Sequence, residues 1–209
     1  MKTFLAIAGL VAFQVVSAQT VKLQDFNIIT VGSEIRLDMV KGTENKLVYN
    51  GDETFEINYS NGGVAFDGEG SATLFYKSDI EALTVGSDAE VKADDLKSRA
   101  LQLTVGSDSK VSINLNVQDL QVTAGSDSHV SLTGKANSMR ATIGSDGKFS
   151  AEGLKAADVS INLGSDADGT MNATGIVNAT VGSDASLKVY GKPKKVNEVK
   201  GSDSTIKVM

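Results

Sequence analysis

The sequence predicts an all-β, single-domain parallel β-solenoid, β-helix-like, built of ~19-residue rungs and preceded by an irregular N-terminal β cap. Three observations predict it: a Gly-Ser-Asp triplet recurs at near-constant spacing, apolar residues alternate on both sides of each triplet, and no segment carries a convincing helical period. The longest helix-like stretch, Asp94 to Ala100, is under two turns.

The triplet stands at 86–88, 106–108, 125–127, 144–146, 164–166, 182–184 and 201–203, with a variant Gly32-Ser33-Glu34 upstream. Successive glycines from Gly86 are 20, 19, 19, 20, 18 and 19 residues apart. Residues five, three and one before each Gly are mostly apolar, as in Leu101, Leu103, Val105 or Val159, Ile161, Leu163. The pattern resumes five and seven residues after it, as in Val111, Ile113 and Phe149, Ala151. This is strand period with one inward face. Each rung therefore reads strand, corner, strand, variable loop. One such unit cannot bury its own ladder, whereas units stacked at the ~4.8 Å strand spacing bury one another's.

The corner Gly suits a position with φ > 0 or with close backbone approach, and Ser and Asp suit turn positions where side chains bond nearby amides. Two residues before the Gly, Thr30, Thr84, Thr104, Thr123, Thr142 and Thr180 form an outward β-branched ladder. Gly169 replaces an expected apolar residue and reads as a loosened rung; Glu198 and Lys200 occupy normally apolar positions in the last rung and read as an end cap. Lys192, Pro193, Lys194, Lys195 and Lys207 are residues that discourage edge-to-edge pairing there. Rival repeats fail on period: hexapeptide helices need an apolar residue every six, leucine-rich repeats their leucine pattern, and propeller blades run ~40 residues.

Residues 1–18 read as a signal peptide. Lys2 precedes an apolar run from Phe4 to Val16, and Val16-Ser17-Ala18 places small or compact residues where signal peptidase cleaves, before Gln19. The run is interrupted by Gln14 and is shorter than the ~20 residues that span a bilayer. The protein is thus expected to be exported through the inner membrane, to the periplasm, cell surface or beyond. Residues 19–80, where Ile35, Leu37, Met39 and Phe55, Ile57 and Val64, Phe66 alternate like strands, read as irregular rungs and cap; residues 81–209 read as the regular solenoid, continuous with the cap as one domain.

The 209 residues include no Cys, which excludes disulfides and thiolate chemistry. The 20 Lys and Arg against 26 Asp and Glu give a net charge of −6, with the signs interspersed, a surface that repels nucleic acid and anionic lipid.

The chain resembles the auto-transporter adhesin "head GIN" domain family of exported Bacteroidetes proteins. The similarity is carried by Phe26-Asn27-Ile28-Ile29 entering a strand, Ile35-Arg36-Leu37 before Gly42, Asn61-Gly62-Gly63-Val64, the repeated apolar-Gly-Ser, and Val189-Tyr190-Gly191-Lys192-Pro193 before Gly201-Ser202. It implies a β-helix-like solenoid and a role in adhesion, and brings no catalytic residues. The family more often has Gly-Ser-Gly at the corner, where this chain has Asp in third place.

Candidate sites follow from the repeat. The corner acids Asp88, Asp108, Asp127, Asp146, Asp166, Asp184 and Asp203 either bind a cation such as Ca²⁺ or stand as solvated turn residues. Carboxylates ~4.8 Å apart repel by only ~1 kcal/mol in water and ~3.5 kcal/mol at an effective dielectric of ~20, so the solvated row needs no metal. His129, the one histidine, is expected outward beside Lys110 and Lys148 of adjacent rungs. No Gly-x-Ser-x-Gly elbow accompanies the serines. Arg36, Arg99 and Arg140 read as surface or loop cations, and Tyr49, Tyr59, Tyr76, Phe55, Phe66 and Phe75 as packing of the N-terminal part. The sequons at Asn58, Asn172 and Asn178 read as chance matches.

No catalytic, cofactor or metal residue is assigned. The expected function is a non-enzymatic adhesin or scaffold facing an unidentified surface ligand, protein or glycan. The alternatives are a β-helical polysaccharide lyase or hydrolase and a calcium-dependent module using the Asp corners.

Overall fold

A computed structural model of the chain describes residues 18–51 and 54–209. The expected signal peptide, apart from Ala18, lies outside the described residues. The first seven strands are β1 (Ala18–Lys22), β2 (Ile28–Val31), β3 (Ile35–Lys41), β4 (Lys46–Asn50), β5 (Phe55–Ser60), β6 (Gly63–Gly68) and β7 (Gly70–Tyr76). Strands β2 and β3, joined by the Gly32-Ser33-Glu34 corner, form a rung, and β6 and β7 form a second rung paired with it in parallel.

The chain then returns past the first rung. β8 (Ala82–Val85) pairs with the other edge of β2, and β9 (Glu90–Val105) with the other edge of β3. The rung that comes second in sequence is therefore outermost in space. Its edges are covered by antiparallel strands, β5 on β6 and β4 on β7, with β1 on β4 in turn. This cover satisfies backbone groups that an exposed parallel edge would leave open. The β5–β6 hairpin turns at Asn61 and Gly62, whose φ values of 50° and 78° are those of the type I′ turn that Asn-Gly favours.

Beyond the cap the stack is regular. β9, β10 (Lys110–Ala124), β11 (His129–Ile143) and β12 (Lys148–Leu163) pair in parallel, each with the next. β12 then pairs with β13 (Asp168–Ala173) and β14 (Ile176–Val181); β15 (Ser186–Tyr190) and β16 (Lys195–Lys200) follow on those, and β17 (Thr205–Val208) lies on β15. Up to the corner at Gly182 the alternating apolar residues before and after each corner are buried in one continuous core, and Val196 and Ile206 of the last rung pack partly buried against its end.

The expected variable loop is instead more strand. Leu115 and Val117, and their counterparts Leu154 and Ala156, extend the inward ladder to a second bend marked by consecutive exposed residues, Gln118 and Asp119 in β10. The rung length of 20 in two repeats reflects residues accommodated by bulges on this stretch: the register between β9 and β10 shifts beside Asp95, whose φ is 77°, and the register between β11 and β12 shifts between Ser131 and Gly134. The bulges broke the sequence period just where the strand continues. The helix-like Asp94–Ala100 lies within β9.

At the corners it is Asp, not Gly, that takes the left-handed conformation, with φ between 55° and 58° at all seven triplets and 62° at Glu34. The Gly answers to close approach: a Cβ on Gly106 would lie 2.7 Å from the Ser87 amide nitrogen and 2.8 Å from the Gly86 carbonyl carbon. The same packing recurs at Gly125, Gly144, Gly164, Gly182 and Gly201. Amide hydrogen bonds run across the corners, with Gly106 N donating to Val85 O at 2.8 Å and Lys110 N to Ala89 O at 2.9 Å. The residue after Asp turns inward and is small: Ala89, Ser109, Ser128, Gly147, Ala167 and Ala185 are buried. Ser109 Oγ donates to Gly86 O and Ser128 Oγ to Gly125 O, each at 2.6 Å.

Gly169 does not loosen its rung. It is buried in the ladder between Phe149 and Leu187, and the Leu163 and Leu187 methyls lie 2.9 Å from where a Cβ would stand. The Leu163 and Leu187 side chains, beside the Phe149 ring, use the space that Gly vacates. In the last rung Glu198 and Lys200 sit opposite Ala179 and Val181 and pair with each other at 2.9 Å, so inward-pointing charge faces the end of the core.

Candidate functional site

Because every rung repeats the same alternation, outward side chains align in rows along the solenoid axis. Thr30, Thr84, Thr104, Thr123, Thr142, Asn162 and Thr180 occupy equivalent register positions, with Asn162 interrupting the threonines. Two residues earlier in each strand the row reads Ala82, Gln102, Gln121, Arg140, Ser160, Asn178 and Asn197. Two earlier again, Ala100, Asp119, Ser138 and Asp158 align beside the second bend.

A groove of about 1060 Å³ runs along these last two rows, from Asp79 and Glu81 to Ile176 and Asn178. Most of its polar groups face outward with spare hydrogen-bonding capacity. The side chains of Gln102 and Gln121 are exposed and make no hydrogen bond among the described residues. Asp119 accepts from Ser138 Oγ at 2.7 Å, Asp158 from the Ile176 amide at 2.7 Å, and Asp79 pairs with Lys41 at 3.3 Å.

The arginines divide in the same way. Arg36 lies outside the groove and is committed to Glu90 at 2.9 Å, opposite it in the register. Lys92 also reaches Glu90, at 2.7 Å; its hydrogen bond first, and that of Arg36 after it, hold the Glu90 carboxyl below the usual carboxylate range. Arg99 and Arg140 both line the groove, and neither has an ion-pair partner among the described residues. In sequence they are isolated surface or loop cations, and the strand register brings both to one groove. The available signal was Arg140 standing in the same repeat position as Gln102 and Gln121.

The corner acids are placed along one edge as expected, and all seven are exposed. Asp88 and Asp108 border a depression of about 340 Å³ that also holds Arg36 and Lys110, so basic groups accompany the acids there. Among the described residues no three acidic or imidazole groups converge on one point in the way a metal ion needs. His129 lies opposite Lys110 and Lys148, with Nδ1 3.2 Å from the Asp127 carbonyl oxygen. It is on the corner side of the rung, outside the groove lining, and so does not serve as a base for the groove serines Ser138 and Ser160.

Of the aromatic cluster, Phe66 and Tyr76 are fully buried, and Tyr49 packs on Phe55 with ring centroids 4.9 Å apart and the rings tilted by 57°. The Tyr76 hydroxyl is buried with no hydrogen-bond partner among the described residues; burial first, then the nearby Asp95 and Asp79, push it up to about 12.

Fold and groove together define a β-solenoid with a lengthwise groove in which polar side chains recur from rung to rung. Residues 25–193 match the family described as "Putative auto-transporter adhesin, head GIN domain", and the chain belongs to that family. Among solved structures it is similar to a putative adhesin from Bacteroides fragilis, at 21% identity and a TM-score of 0.84, covering 94% of this chain and 98% of that one. It is also similar to a putative adhesin from Parabacteroides merdae, at 15% identity and TM-score 0.62, over 93% and 96% of the two chains. A protein from Parabacteroides distasonis described as a putative lipid binding protein matches at 12% identity and TM-score 0.63, over 92% and 96%. At these identities the likenesses establish the fold. No curated protein matches the chain.

Proposed function

We propose that the protein is an exported, non-enzymatic adhesin or envelope scaffold that engages its surface ligand through the lengthwise groove. The observation that carries the reading is the collection of uncommitted polar side chains, Gln102, Gln121, Arg99 and Arg140, along one groove that crosses successive rungs. A solenoid repeats its contacts at every rung, so weak individual bonds to an extended ligand add along its length. Membership of an adhesin family and the adhesin descriptions of the Bacteroides and Parabacteroides structures support the same reading.

The signal peptide read over residues 1–18 supports export through the inner membrane, as does membership of a family with exported relatives. Among the described residues no helix is long and apolar enough to cross a membrane. The reading assigns no catalytic, cofactor or metal residue.

Beads coated with the protein are expected to adhere to bacterial or epithelial cell surfaces, and beads carrying the double variant Gln121→Ala with Arg140→Ala to adhere much less. Equal adhesion by the variant and by the native chain would remove the groove from the reading. Failure of the native beads to adhere to any surface would remove adhesion itself.

A further inference from the structure

We infer that the groove takes a linear, uncharged glycan lying along the solenoid axis. The inference rests on the adhesive reading of the groove and names its ligand class.

The groove's polar groups repeat with the rungs. From Gln102 through Gln121 and Arg140 to Asn178 a planar amide or guanidinium fork occurs on most rungs, with Ser160 supplying a hydroxyl between, although Asn178 Oδ1 already accepts from Asn197 Nδ2 at 2.7 Å. An amide fork presents a donor and an acceptor side by side, which is the complement of neighbouring hydroxyls on a sugar ring. Asp119 and Asp158, in the adjoining row, have acceptor capacity beyond the one hydrogen bond that each receives. Ile176, 45% exposed at the far end, offers an apolar contact for the C–H face of a ring. Successive rungs are ~4.8 Å apart, so the row from Ala82 to Asn178 extends for about 25 Å, long enough for several residues of an extended polymer.

Charge and direction separate this ligand from its competitors. Asp79, Glu81, Asp119 and Asp158 outnumber Arg99 and Arg140 in the groove, and the whole chain is at −6, so a polyanion is repelled. A peptide that binds by strand addition needs an open sheet edge. The groove crosses the strands on the face of the stack and offers no edge to such a peptide.

The test is affinity electrophoresis of the full chain through gels containing soluble mannan, xylan, linear β-glucan or galactan, and in parallel polygalacturonate and hyaluronate. At least one neutral glycan is expected to retard the protein, with retardation unchanged between about 0.1 and 1 M salt, because screening acts only on charge. Gln121→Ala with Arg140→Ala is expected to weaken it about tenfold while leaving Tm unchanged, since both side chains are exposed. Gln102→Ala, on the same row, provides an independent variant and is expected to weaken it in the same direction. Retardation by the acidic polymers alone, fading with salt, would overturn the inference. No retardation by any neutral glycan, with coated beads still adhering through the groove, would overturn the glycan assignment and leave the adhesive reading standing. No retardation together with no adhesion would overturn both.

Discussion

Gly106 packs on Gly86 so closely that a methyl group on the former would stand 2.8 Å from the carbonyl carbon of the latter. The contact repeats up the corner edge, and the neighbouring Asp carries the left-handed turn. Gly and Asp in the triplet therefore have separable roles, which substitution distinguishes. Gly125→Ala, whose Cβ would meet the Ser107 amide nitrogen at 2.8 Å, is expected to cost about 2–4 kcal/mol, because rigid backbone must shift. Asp127→Gly, at φ 55°, is expected to change stability by less than about 1 kcal/mol, and Asp127→Ala to cost about 1–2 kcal/mol. Denaturant midpoints of the three variants check the order. The Gly-Ser-Gly corner typical of the family fits this reading, since a third-place Gly adopts the same conformation without strain.

The exposed row of corner acids is expected to leave melting unchanged whether Ca²⁺ or EDTA is in excess. A ligand that binds only the folded state raises the midpoint by mass action. A rise of several degrees in Ca²⁺, abolished by Asp127→Asn with Asp146→Asn, would show instead that neighbouring corners hold a cation.

Tyr76 carries a buried hydroxyl with no partner, so Tyr76→Phe is expected to be neutral or stabilising by up to about 1 kcal/mol in neutral solution. Its folded-state pKa is raised to about 12 from 10.0 in the unfolded chain. The unfolded state therefore loses its proton first. Stability associated with this group is full below pH 10 and falls as the pH rises from there toward about 12. Urea unfolding across that range, compared between the native chain and Tyr76→Phe, is expected to show a shallower alkaline loss in the variant.

Asn45 joins three segments of the cap. Its Nδ2 donates to Gln24 O at 3.0 Å and to Asp25 Oδ1 at 3.1 Å, and its Oδ1 accepts from the Lys77 amide at 2.9 Å. Asn45→Ala removes the three hydrogen bonds of this buried side chain and is expected to cost about 1–3 kcal/mol. We propose that the cap over 19–80 and the solenoid over 81–209 form one cooperative unit, so the variant should lower a single transition. A separate early transition confined to the cap, read by hydrogen exchange, would divide them.

Gly169→Val is expected to destabilise by about 1–3 kcal/mol through overpacking against Leu163 and Leu187, and the double change with Leu187→Ala to recover part of the loss. Thermal midpoints of the native, single and double variants measure the coupling.

Several of these features were open to sequence reasoning and others were not, for identifiable reasons. The inward positions around each corner follow from strict alternation, because a strand shows its faces with period two. His129 lies beside Lys110 and Lys148 because each stands four residues after its corner Gly, and equal offsets in successive rungs come together. Leu115, Val117, Leu154 and Ala156 were hidden in a supposed loop because bulges shift the count along that stretch. The corner Gly and Asp could not be given separate roles, because either residue type tolerates a turn and only neighbouring backbone distances distinguish them.

The sequence by itself determined the all-β solenoid, its rung length, its inward ladder and the charged last rung, since all of these are local patterns repeated along the chain. Only the tertiary structure decided that the rung over 63–76 lies outside the rung over 28–41, and that Arg99 and Arg140 share a groove with Gln102 and Gln121. Those are relations between distant segments, fixed by which strand edges pair and where bulges fall, and nothing in a residue's immediate neighbours encodes them.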